Sequence, residues 1–170
     1  FDKIAYDQIY DEHVFIFSLT LMQNICNKFN LEVFHVEHVY TAGGSLRYFI
    51  SKKGKYNKTE NYIKFLKKEE DYKLLDINTY KKFENNCKKS KDDLQKLIYN
   101  LSSNKKIICG YAATSKSTTI YNYCKIDSNH ISFITDTTPI KQNKLSPGMH
   151  IPIYDYNYFN DNLPDYCFLL

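Results

Sequence analysis

The stretch that most constrains the fold is Lys106–Tyr111, centred on Ile107-Ile108-Cys109. It reads as a buried strand. Residues 117–125 can form a short helix, and Ile131–Thr135 is a second apolar strand that ends at Asp136. Strands alternating with short helices imply parallel strands joined by crossovers. Pro139, Pro147-Gly148 and Pro152 punctuate a loop, and Tyr166–Leu170 reads as a final strand. The last third of the chain is therefore expected to be compact α/β, built on a small parallel sheet.

Upstream the pattern changes. Residues 1–17 mix aromatic and acidic side chains. Ser18 reads as a helix N-cap. Met22, Ile25, Cys26 and Phe29 follow at helical spacing, and Asn30 stops the run. Leu31–Tyr40 reads as a strand, Gly43-Gly44 as a break and Leu46–Ser51 as a second strand. Two strands joined by a short Gly-containing turn make an antiparallel hairpin. After a polar turn, residues 59–104 are helical in character. Tyr80, Phe83, Cys87, Leu94, Ile98 and Leu101 keep one face apolar.

Composition narrows the partners. The chain is 43% hydrophobic and 25% charged, a globular balance. No apolar run approaches the roughly 18 residues that span a bilayer, so no membrane partner is expected. The opening Phe1-Asp2-Lys3-Ile4 lacks both an initiator Met and the layout of a signal peptide. A cytoplasmic segment that starts inside a longer protein is expected. Cys26, Cys87, Cys109, Cys124 and Cys167 form no CxxC pair, which reads as free thiols and no metal site. His35 and His38 are three apart on a strand and would point to opposite faces. The net charge is +4, but the Lys residues in 52–70 and 81–96 alternate with Glu, Asp and Asn. That is a solvated helix face, not a nucleic-acid patch. Among 23 cationic side chains only Arg47 is arginine; its planar fork suits a carboxylate or phosphate.

Three segments carry groups with chemical potential. Gly110-Tyr-Ala-Ala-Thr-Ser115-Lys116-Ser117 follows a strand and opens a helix, a natural cradle for an anion. It is one Gly short of a phosphate-binding P-loop, with Ser115 in the place of the second Gly. Tyr10-Asp11-Glu12-His13 sets an imidazole beside carboxylates, an arrangement that can supply a general base. Taken alone, a His near a Glu is more often a surface or packing residue. Gly43-Gly44-Ser45-Leu46-Arg47 lets backbone approach a ligand, or simply turns a hairpin.

In this order the segments resemble the S-adenosylmethionine-dependent sugar C-methyltransferases. The likeness runs through Tyr6-Asp-Gln-Ile-Tyr10-Asp-Glu-His13-Val-Phe-Ile-Phe-Ser18 and Gly43-Gly44-Ser45-Leu46-Arg47. It resumes at Gly110–Cys124, then at Asp136-Thr-Thr-Pro139-Ile-Lys141-Gln142 and Pro147-Gly148-Met-His150-Ile151-Pro152-Ile153. The resemblance implies an α/β chain in three parts. Residues 1–55 would end a methyltransferase domain with the hairpin at its sheet edge. Residues 56–104 would form a helical bridge, and 105–170 a small Rossmann-like C-terminal domain. It implies carbon methylation of a nucleoside-diphosphate keto-deoxysugar. His13 would be the base, with Tyr10 and Glu12 orienting it or the substrate. Arg47, Ser115, Lys116, Ser117, Lys141 and His150 would be substrate-binding candidates. The pocket for S-adenosylmethionine would lie upstream of Phe1, in a covalently linked methyltransferase domain, and zinc would belong only to an N-terminal domain.

Three positions depart from the family pattern. Ala42 stands where the family has His, Ala112 where it has Gly, and Asn143 where it has Gly. Asn tolerates positive φ. The first two departures leave room for a second reading, a catalytically silent sugar-nucleotide-binding or interaction module.

Overall fold

The computed structural model describes residues 3–169, without the side chain of Ala42. They form two compact units. One contains the chain up to Val14 and again from Phe83 onward; the other is Phe15–Lys82.

The first unit is an α/β layer structure. Its strands are β3 (Ile108–Tyr111), β4 (Phe133–Thr135), β5 (Lys144–Leu145), β6 (Pro152–Tyr154) and β7 (Tyr166–Leu169), numbered after two strands of the other unit, β1 (Leu31–Val39) and β2 (Ser45–Lys52). The sheet order is β5-β6-β4-β3-β7. All neighbours are parallel except β5 with β6. The expected parallel sheet is present.

Three helices come first along the chain: α1 (Leu19–Lys28), α2 (Glu60–Asp71) and α3 (Ile77–Ser103). Then α4 (Ser115–Cys124) crosses from β3 to β4, and α5 (Tyr156–Asp161) precedes β7. The core of this unit gathers Ile108, Ile134 and Ile153 from the strands, Ile120, Tyr121 and Cys124 from α4, and Cys87 and Ile98 from α3. Burial of this apolar surface is the main force holding the layers together.

Close packing of α4 on β3 depends on Gly110. A methyl group there would overlap the Tyr121 hydroxyl and stand 3.0 Å from Ile134 Cγ1. Two residues later Ala112 adopts φ +74°, a conformation that suits glycine, while its N–H donates to the Thr135 carbonyl. The Ala at this position thus keeps the backbone of a glycine loop and carries its strain. Ala112→Gly is expected to stabilise the chain by about 1 kcal/mol, read as a shift in a urea unfolding midpoint; a destabilised variant would show that the loop is not strained.

The helix starts two residues earlier than its sequence indicates. Thr114 caps it: its hydroxyl accepts from Ser117 N–H, and Ser117 Oγ accepts from Thr114 N–H. This reciprocal box satisfies two amides that would otherwise be unpaired. Lys125, in the left-handed region, ends the helix. β5, β6 and α5 fall in the segment that reads as a Pro-rich loop. They are only 2, 3 and 6 residues long, too short for periodicity to show.

The second unit packs α1 and α2 on the antiparallel β1–β2 hairpin. Ser18 caps α1 as expected. Glu69 also grips that end: its carboxylate accepts from the N–H groups of Leu19 at 2.6 Å and Thr20 at 2.7 Å. The hairpin turn is a short 3₁₀ segment at Thr41–Gly43.

Candidate functional site

The His13 turn is built by its own backbone. His13 N–H donates to the Tyr10 carbonyl at 2.9 Å, folding the imidazole back over the phenol. The ring centroids are 4.1 Å apart. Nδ1 lies 2.8 Å from the Gln8 carbonyl, which can only accept, so Nδ1 carries the proton. In the neutral ring Nε2 is then the basic nitrogen, and Tyr10 Oη stands 3.0 Å from it. A histidine with a fixed tautomer, an exposed ring and a phenol at its basic nitrogen is equipped to take a proton. Glu12, expected to help orient the ring, is exposed and makes no hydrogen bond or ion pair among the described residues. Gln8 takes that part through its carbonyl, a contact that side-chain motifs do not reveal.

The segment before this turn lies along α4. Tyr6 Oη is 3.6 Å from Cys124 Sγ, at the end of the helix, and the Ile9 carbonyl is 3.5 Å from Thr119 Oγ1, nearer its start. Residues 6–9 therefore run antiparallel to α4.

The turn that carries Ser115 borders a pocket of about 290 Å³ lined in part by Ser115, Ser117, Lys141, Lys144 and Ser146. A second pocket of about 270 Å³ shares Thr114 and Lys141 with it and lies at the carboxyl ends of β3 and β4, beside Tyr111 and Tyr156. Ligands of open α/β sheets bind at this end of the strands. Lys144, which the sequence reading passed over, lines the first pocket and has no ion pair among the described residues. No carboxylate lines the first pocket among the described residues. With two ammonium groups and the positive end of a ten-residue helix, it favours an anion.

The individual candidates fare differently. Ser115 is exposed at the first helical position. Lys116 is half-buried beside it. Ser117 is buried, and its hydroxyl is spent on the cap: it donates to the Thr114 carbonyl at 2.8 Å while accepting from Thr114 N–H. Lys141 Nζ sits 3.3 Å from Asp136 Oδ2. Burial alone would raise the pKa of Asp136, but the amide hydrogens of Thr138 and Ala113, with Lys141, outweigh it and hold the carboxyl below the usual range. A carboxylate so occupied has its hydrogen-bonding capacity met within the protein.

His150 is exposed, with φ +52° in the turn that follows Pro147-Gly148, and it does not line either pocket. Asn143 likewise adopts positive φ, +58°, as expected for an Asn in place of Gly. Arg47 belongs to the second unit, where its guanidinium is 3.5 Å from Glu37 Oε2 across the hairpin. The question raised by Ala42 concerns a side chain outside the described ones. His35 Nδ1 is 2.7 Å from Thr59 Oγ1, and the His38 ring meets Tyr40 edge-on. No group of three or more His, Cys, Asp or Glu positioned for a metal occurs among the described residues.

These residues do not fit S-adenosylmethionine. The donor is a sulfonium cation, and the first pocket carries Lys141 and Lys144 with no carboxylate in its lining among the described residues. The amides of Ala113 and Thr114 are already taken by Asp136 and Ser117.

Comparison with known proteins agrees with this layout. A family model described as the C-methyltransferase C-terminal domain matches residues 40–170. The chain belongs to this family. C-methyltransferase NovU of Streptomyces niveus is 28% identical over 169 residues, covering 97% of this chain and 40% of its own length. The chain thus spans about two fifths of that relative. The family match takes in β2, all of α2 and α3, and the whole α4 pocket. The His13 turn lies before its first residue but within the segment aligned to NovU. No helix among the described residues is long and apolar enough to cross a membrane.

Proposed function

We propose that this chain is the C-terminal part of a C-methyltransferase that acts on a nucleoside-diphosphate keto-deoxysugar, and that His13 is its base. The observation that carries the reading is the His13 ring, held by the Gln8 carbonyl with Nε2 facing Tyr10 Oη. Nε2 removes the proton next to the sugar ketone, and Tyr10 keeps the ring aimed and shares the proton it gains. S-adenosylmethionine supplies the methyl group, held by a part of the protein outside residues 3–169. The pocket at the start of α4 takes the diphosphate through Ser115, Lys141 and Lys144. Lys116, Arg47 and His150 stay outside this assignment, since none of them lines the pocket.

Calorimetry on the chain tests the binding half. A nucleoside-diphosphate sugar is expected to give a measurable heat, and S-adenosylmethionine none. Lys141→Ala and Lys144→Ala should each weaken sugar-nucleotide binding by about tenfold, the loss of one charge-assisted contact. Unchanged affinity in both variants would remove the pocket from the reading.

A further inference from the structure

Outside the α4 pocket, one pair of reactive groups has no assigned use. Cys109 on β3 and Cys167 on β7 are directly opposed in register, and their sulfurs are 3.6 Å apart. All five cysteines are free thiols. Neighbouring strands run about 4.8 Å apart, inside the Cα separation of about 4.4–6.8 Å that a disulfide bridges. Side-chain rotation alone can therefore bring the sulfurs to bonding distance.

The two thiols differ in access. Cys109 is fully buried, and Cys167 is exposed on a strand at the edge of the sheet. Burial pushes the Cys109 thiol up to about 12, so it stays protonated and out of reach. Cys167 is the one that meets an oxidant. Cys26, Cys87 and Cys124 are buried, and none is paired with another sulfur among the described residues.

We propose that Cys167 and Cys109 form a modification site for low-molecular-weight disulfides, with Cys167 as the attacking thiol and Cys109 as the resolving one. The Cys167 thiolate attacks one sulfur of the small disulfide, forming a mixed disulfide and releasing one small thiolate. As Cys109 Sγ attacks Cys167 Sγ, its proton passes to the small thiolate displaced in the first step, and the second small thiol is released, protonated from solvent. The protein loses two hydrogens and the small disulfide gains them. The product ties the edge strand β7 to β3, the strand that leads into the turn at 112–114 before α4.

The chain is incubated with oxidised glutathione, quenched with an alkylating agent, and read by intact mass and peptide mapping. The expected product is two hydrogens lighter, contains a Cys109–Cys167 peptide, and keeps three of its five thiols. Dithiothreitol should reverse it. Cys109→Ser should stop at glutathione bound to Cys167, and Cys167→Ser should remain unmodified. Cys167→Ser changes an exposed position and is the variant that keeps the test valid should Cys109→Ser not fold. A stable mixed disulfide on the unsubstituted chain, no reaction, or any other pairing would overturn the proposal.

Discussion

In the full-length protein, His13→Ala is expected to lower methyl transfer to a keto-sugar nucleotide by about 10²–10⁴-fold, the usual contribution of a positioned general base. The sugar nucleotide should still bind, because the lysines of the α4 pocket are untouched. Tyr10→Phe should be milder, at about tenfold: it removes the hydroxyl at Nε2 but leaves Nδ1 tied to Gln8. The double variant should be little worse than His13→Ala alone, because the phenol acts through the ring. Turnover of the methyl group from S-adenosylmethionine, measured at saturating substrate, checks all three. A His13→Ala enzyme with wild-type turnover would disprove the assignment of the base. Multiplicative losses in the double variant would show instead that Tyr10 touches substrate independently.

The second large effect is on stability. Gly110→Ala should cost about 3 kcal/mol, measured by urea unfolding. The added methyl has no room: the Tyr121 ring that it meets is 1% exposed and sealed between α4 and the sheet. The partner substitution gives the decisive control. Tyr121 Oη is buried and has no hydrogen-bond partner among the described residues. Such a group costs about 1–3 kcal/mol, so Tyr121→Phe should be stabilising. It also clears the space that the added methyl needs, so the pair of substitutions should recover most of what Gly110→Ala loses. If the double variant is as unstable as the single, the clash lies elsewhere, with Ile134 the next neighbour.

Most of the α/β layout was legible in the sequence, for reasons that these elements make clear. β3 and β4 are apolar on both faces because both are covered, and a continuous apolar run between polar stretches shows plainly. The β1–β2 hairpin showed through Gly43-Gly44. By contrast, β5 and β6 are held in place by the neighbours they join, not by their own residues. Two or three positions cannot declare a period. The candidate site divides in the same way. His13, Tyr10 and Lys141 could be named from side-chain types in order along the chain. Gln8 could not, because its contribution is a carbonyl that every residue has. Ser117 is ambiguous, since its hydroxyl looks identical in sequence whether it serves a ligand or its own helix. Lys144 was hidden among many lysines, and only the fold of the Pro139–Ile153 segment brings it to the pocket.

The order of strands in the sheet also bears on how the protein is made. β3 sits between β4 and β7, and Cys109 must wait for Cys167, 58 residues later in the chain, before its second edge is paired. Helix α4 and β4 can form against β3 while translation continues, but one side of that interior strand stays open meanwhile. Open apolar edges invite pairing with other nascent chains. A ribosome that pauses between Ile134 and Tyr166 would prolong that exposure, and loss of β7 by truncation would make it permanent.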